Sequence, residues 1–70
     1  MPDDPFSGIS TEEMYERINA ARLGRVNTQI AKMRLIDREK YADIGAAVGY
    51  DRTTVARRMN GIIRQLSSGG

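Results

Sequence analysis

Apolar residues in this chain recur at steps of three and four, and no segment alternates with a period of two. Val55, Met59, Ile62 and Leu66 follow one another at +4, +3, +4, one unbroken face of a helix expected from 52 to 65 or 66. Thr53, Arg57, Asn60 and Arg64 run at the same steps on another face, and each can donate a hydrogen bond. Arg52 and Ala56 flank that second face. Upstream, Ile44 and Val48 share a face of a helix expected over about 38–48, and Leu23, Val26, Ile30 and Met33 mark another over about 27–36. Met14, Ile18 and Ala21 mark the first, over about 11–22. Asn60-Gly61 is a turn-like pair, yet Ile62 and Leu66 stay in phase across it, so the last helix is expected to run through. The pattern predicts an all-α fold, a small bundle of about four helices.

Start and stop signals refine these bounds. Ser10 is an N-cap with Glu13 placed for a capping box, and Ile9 can staple against Met14. Gly24 marks a break, Asn27 is a candidate cap for the second helix, and Asp37 for the third. Gly49 directly follows Val48, where a left-handed residue normally ends a helix and glycine is the cheap choice. Asp51 is placed to cap the fourth helix through the N–H of Thr53 or Thr54. Gly45, lacking a Cβ, lets the fourth helix cross close to the third. Residues 1–8 contain Pro2, Asp3, Asp4, Pro5 and Gly8 and read as a flexible arm; 67–70 read as a flexible tail. A single domain over 9–66 lies between them.

Seventy residues allow one small core, and the chain has neither cysteine nor histidine. Disulfides and thiolate metal sites are excluded, and the commonest general base and metal ligand are missing. No glycine-rich phosphate loop or carboxylate ligand array appears. The expectation is a protein that binds rather than catalyses, with no cofactor and no metal. No apolar run approaches the roughly 18 residues of a membrane span, and no signal segment opens the chain, so a cytoplasmic place with no membrane partner is expected. The formal net charge of +2 hides a split. Residues 1–20 carry five acidic side chains against Arg17, a net −4; residues 21–70 carry ten basic against four acidic ones, a net +6. A basic face attracts phosphate, and this one coincides with the last two predicted helices.

Two short helices around a glycine turn, with the second amphipathic and basic, read as a helix-turn-helix over about 38–66. Such a unit places the start of its second helix in the major groove of double-stranded DNA. Arginine suits guanine, asparagine suits adenine, and threonine or alanine can touch a thymine methyl. The candidate DNA-binding residues are Arg52, Thr53, Ala56, Arg57, Arg58, Asn60 and Arg64. Arg22, Arg25, Lys32 and Arg34 lie mostly off the core face and reach either phosphates or water.

From about Met33 to Leu66 the chain resembles the DNA-binding region 4 of bacterial sigma factors, and most closely short stand-alone proteins of phages and mobile elements that carry this module. Arg34-Leu-Ile-Asp37 matches the segment entering the module, and Tyr41-Ala-Asp-Ile-Gly45 its first helix. Val48-Gly-Tyr-Asp-Arg-Thr-Thr-Val55 matches its turn; Arg58-Met59 and Ile62 through Leu66 match the end of its recognition helix. The resemblance implies that this helix reads an upstream promoter element while another side docks on RNA polymerase. By position, Arg52, Thr53, Ala56 and Arg57 would face bases and Arg58 would hold a phosphate. Lys40 stands where the family has a capping serine or threonine, which suggests an earlier start for the third helix. Gly45 replaces the usual alanine. Nothing resembles the aromatic-rich segment that melts promoters, so a full sigma factor is not implied. Transposases and recombinases carry a similar unit, but their catalytic domains are absent here, and Met1 with polar ends suggests a whole small protein.

The function expected is that of a sequence-specific DNA-binding transcription regulator. Its rival is a protein-interaction module binding RNA polymerase or another regulator, with Ile63 and the acidic face of the first helix as contact surface. A homodimer on a palindrome is compatible with the first reading.

Overall fold

The computed structural model describes residues 6 and 8–68. They form four helices in chain order: α1 (Thr11–Ala20), α2 (Arg25–Leu35), α3 (Tyr41–Val48) and α4 (Arg52–Ser68). Helices α2, α3 and α4 pack on one another, and α1 packs chiefly on α2. The fold is the all-α bundle that the periodicity predicts. No helix among the described residues is long and apolar enough to cross a membrane.

The core is assembled from the apolar stripes. Ile18, Ile30, Ile44 and Val55, one from each helix, have no exposed surface, and Met59, Ile62 and Leu66 continue the α4 stripe inward. Burying an aliphatic side chain of this size contributes about 1.5–3 kcal/mol. Ala31, which carries no periodic signal of its own, is also fully buried. Val26 and Met33, expected in the core, are half-buried at its margin, as are Ala21 and Ile63.

Helix α1 opens on its predicted cap. Ser10 Oγ accepts from the Glu13 N–H at 3.1 Å, and the Glu13 carboxylate pairs with Arg17 at 3.1 Å one turn on. The helix ends at Ala20 rather than Arg22, because Arg22 turns to φ 52°. Helix α2 then starts two residues earlier than expected. Its N-cap is Gly24, at φ 93° and ψ 162°, a conformation open essentially to glycine, and its carbonyl accepts from the Thr28 N–H at 2.8 Å. Asn27 is therefore inside the first turn and is not the cap.

Asp37 is not a cap either. The N–H groups of Ile36 and Asp37 both reach the Lys32 carbonyl, Arg38 turns to φ 59°, and the Glu39 N–H bonds the Met33 carbonyl at 3.0 Å. This closing of α2 consumes the residues expected to begin the next helix. Helix α3 starts at Tyr41 with Lys40 at the N-cap and no side-chain cap bond. The third helix thus starts later than the sequence suggests, not earlier.

The ends of the chain also differ from expectation. Most of the 1–8 arm, like 69–70 of the tail, lies outside the described residues, but Phe6 is 5% exposed and belongs to the core cluster. Its carbonyl accepts from the Ile9 N–H at 3.1 Å, turning the chain onto the body. At the other end, α4 continues through Ser67 and Ser68, two residues expected in the tail.

Candidate nucleic-acid interface

The geometry of α4 is set by the turn before it. Gly49 takes φ 83° and ψ 22°, the left-handed cap conformation expected there. Its N–H and that of Tyr50 both donate to the Gly45 carbonyl, at 2.8 and 2.9 Å. A Cβ on Gly45 would collide with the Tyr50 carbonyl oxygen and crowd Asp51. Gly45 thus admits the turn and the head of α4 closer to α3 than any other residue would allow.

Asp51 supplies the start of α4. Its Oδ1 accepts from the Thr54 N–H at 3.2 Å, one of the two partners expected. The Thr54 hydroxyl and then the Thr54 amide stabilise the carboxylate and hold its pKa below the usual aspartate value, with a smaller pull from Arg57. No acidic residue occupies the first turn of α4 itself, where Arg52, Thr53 and Thr54 stand. The ionised Asp51 carboxylate thus supplies the negative charge that a helix N-terminus favours.

With Val55, Met59, Ile62 and Leu66 turned inward, the opposite face carries Thr53, Arg57, Asn60 and Arg64, all exposed. Arg52 is exposed at the head of the helix, whereas Ala56 is half-buried on its flank. These residues form one surface, as the sequence pattern predicts.

Arg58 is placed differently. It is exposed, but its Nη1 donates to Asn27 Oδ1 in α2 at 3.0 Å, and its guanidinium stacks 4.8 Å from the centre of the Tyr50 ring. Of Arg22, Arg25, Lys32 and Arg34, the last two are likewise engaged within the molecule. Arg34, half-buried, donates to the Glu39 carbonyl at 2.9 Å and lies 4.3 Å from the Tyr41 ring centre. The Lys32 ammonium sits 5.5 Å over the Tyr15 ring. Arg22, Arg25 and Lys40 are exposed. The sequence pattern missed these cation–aromatic contacts. Arg34 and Tyr41 are separated by an irregular loop, and Asn27 and Arg58 by 31 residues, so no local spacing signals either. Among the described residues, no group of three or more acidic, histidine or cysteine side chains is gathered as for a metal ion.

No family model matches the sequence, and no curated protein or solved structure resembles it at a significant level. The fold and the surface of α4 define a four-helix all-α protein with a polar, arginine-bearing helix face.

Proposed function

We propose that the chain is a sequence-specific DNA-binding protein, a transcription regulator that inserts the N-terminal half of α4 into the major groove. One observation carries this reading. The Gly45–Gly49 turn seats α4 with its apolar stripe inward, which leaves Thr53, Arg57, Asn60 and Arg64 as a continuous donor-bearing face with Arg52 at its head. From Thr53 to Arg64 the face extends roughly 16 Å, at about 1.5 Å per residue. This matches about five base-pair steps of 3.4 Å. The groove curves away from a straight helix, so Thr53, Arg57 and Asn60 are assigned to bases and Arg64 to the backbone. Arg25 stands in the same turn as Asn27, which touches Arg58 on α4, and is suited to a flanking phosphate.

The resemblance to sigma region 4 in 33–66 extends the proposal to promoter DNA, as in stand-alone regulators of phages and mobile elements acting in the cytoplasm. Docking on RNA polymerase through an apolar contact draws less support. Ile63 is half-buried against the core, and Tyr15 is the large apolar side chain left exposed among the described residues, with Lys32 over its ring.

The test is selection of bound sequences from random duplexes, followed by affinity measurements between about 50 and 200 mM salt. An enriched motif bound with steep salt dependence is expected. Steep salt dependence without a motif would reduce the role to non-specific binding, and no binding would refute it. A palindromic motif together with a dimer mass by light scattering would establish a homodimer.

A further inference from the structure

Each of the three tyrosines of the chain lies under a cation, and two of these cations also donate a hydrogen bond, Arg34 to the Glu39 carbonyl and Arg58 to the Asn27 side chain of another helix. The Arg58 guanidinium covers the ring of Tyr50, in the turn, while its Nη1 bonds Asn27, in the first turn of α2. Tyr50 is itself fixed by its N–H on the Gly45 carbonyl. A single planar group on α4 thus joins the turn and α2 at once. It lies one residue beyond Arg57, about 100° around the helix from it, on the flank that meets α2. A guanidinium is suited to this, since its faces stack while its edge donates; an ammonium is a point charge and lacks the planar fork.

We propose that Arg58 is a positioning residue: it locks α4 to α2 and the turn, sets the angle at which the face of Thr53, Arg57 and Asn60 is presented to DNA, and is not a phosphate contact. The role rests on the DNA-binding reading above, but the clamp itself has a signature that needs no DNA.

The test uses the full chain with Arg58→Met, Arg58→Lys, Asn27→Ala and the double variant Arg58→Met/Asn27→Ala. In denaturant unfolding, the double variant is expected to lose less than the product of the two single losses, by about two- to fivefold in the unfolding constant, the range of a modest direct coupling. Losses that simply multiply would overturn the clamp. On the selected duplex and a scrambled one, Arg58→Met, Arg58→Lys and Asn27→Ala are each expected to reduce the cognate-to-scrambled ratio severalfold, with the salt slope of the unmutated chain retained. A slope lowered by about 0.9, with equal losses on both duplexes and rescue by Arg58→Lys, would make Arg58 a phosphate contact and overturn the proposal. Failure of the unmutated chain to bind any duplex would remove the DNA role altogether, and the unfolding cycle would still report whether the clamp exists.

Discussion

At Gly45 the side chain is a single hydrogen because the Tyr50 carbonyl occupies the space where a Cβ would stand. The obstacle is backbone, which cannot swing aside as a flexible side chain would. Gly45→Ala is therefore expected to destabilise the fold by about 1–3 kcal/mol, in the range of overpacked cores, despite the better helix propensity of alanine. A denaturant titration checks this; stability equal to or above that of the unmutated chain would mean that the turn backs away at little cost. Arg57 poses the opposite case, a residue with a proposed role outside the fold. It is exposed on the face opposite the core, and its loss removes no packing. Arg57→Ala is expected to leave the melting temperature nearly unchanged and to weaken the selected duplex by about 1–3 kcal/mol relative to a scrambled one, the value of a bidentate arginine–guanine contact. Equal weakening on both duplexes would reassign Arg57 to phosphate.

Helix α4 shows how a residue acts through its element. Asp51 accepts from Thr54 and its pKa is lowered, so the folded state binds its proton less readily than the unfolded chain does. Its contribution is therefore present above the ordinary aspartate pKa and is lost as pH falls through the lowered, folded value. An asparagine in its place would retain a capping oxygen without a charge to titrate. The stability difference between the unmutated chain and Asp51→Asn should thus shrink as pH falls below about 4, where aspartate titrates. A difference that is constant from neutral pH down to acid unfolding would show that the charge at the cap contributes nothing. The same element was the most legible in the sequence, because its stripe, its glycine turn and its cap are all local. Asn27 and Asp37 misled for the converse reason. Both have side chains that suit a cap, but α2 starts earlier, from Gly24 at φ 93°, and Arg38 turns left-handed to close α2 beyond its end. Ala31 gave no warning of its burial, since a methyl carries little periodic signal. Arg34 reads as a charge for phosphate or water, and Arg58 as a phosphate contact, because their aromatic and hydrogen-bond partners are brought near only by the packed bundle.

A chain of this length has little core to lose, so the molecule as a whole depends on side chains that its segments contribute from outside the helices. Phe6 is such a residue. It precedes α1 within a polar, proline-bearing stretch, yet only 5% of it is exposed, and it joins the same apolar cluster that runs to Leu66 at the far end of the chain. The charge of that stretch argues for repulsion from DNA, through Asp3 and Asp4, whereas the burial of Phe6 ties that one residue to the fold. The two effects act on different quantities. Screening over about 8 Å at cellular ionic strength leaves the aspartates little influence on affinity. Burial of an aromatic ring is not screened. Phe6→Ala is therefore expected to cost up to about 3 kcal/mol, the low end for a buried phenylalanine because a chain end can relax around the gap. Affinity for the selected duplex, measured well below the melting temperature, should hardly change. Chemical unfolding and a binding isotherm on the same preparation separate the two quantities. Unchanged stability would place Phe6 outside the working core, and a marked loss of affinity in a protein still fully folded would show that the segment takes part in holding DNA.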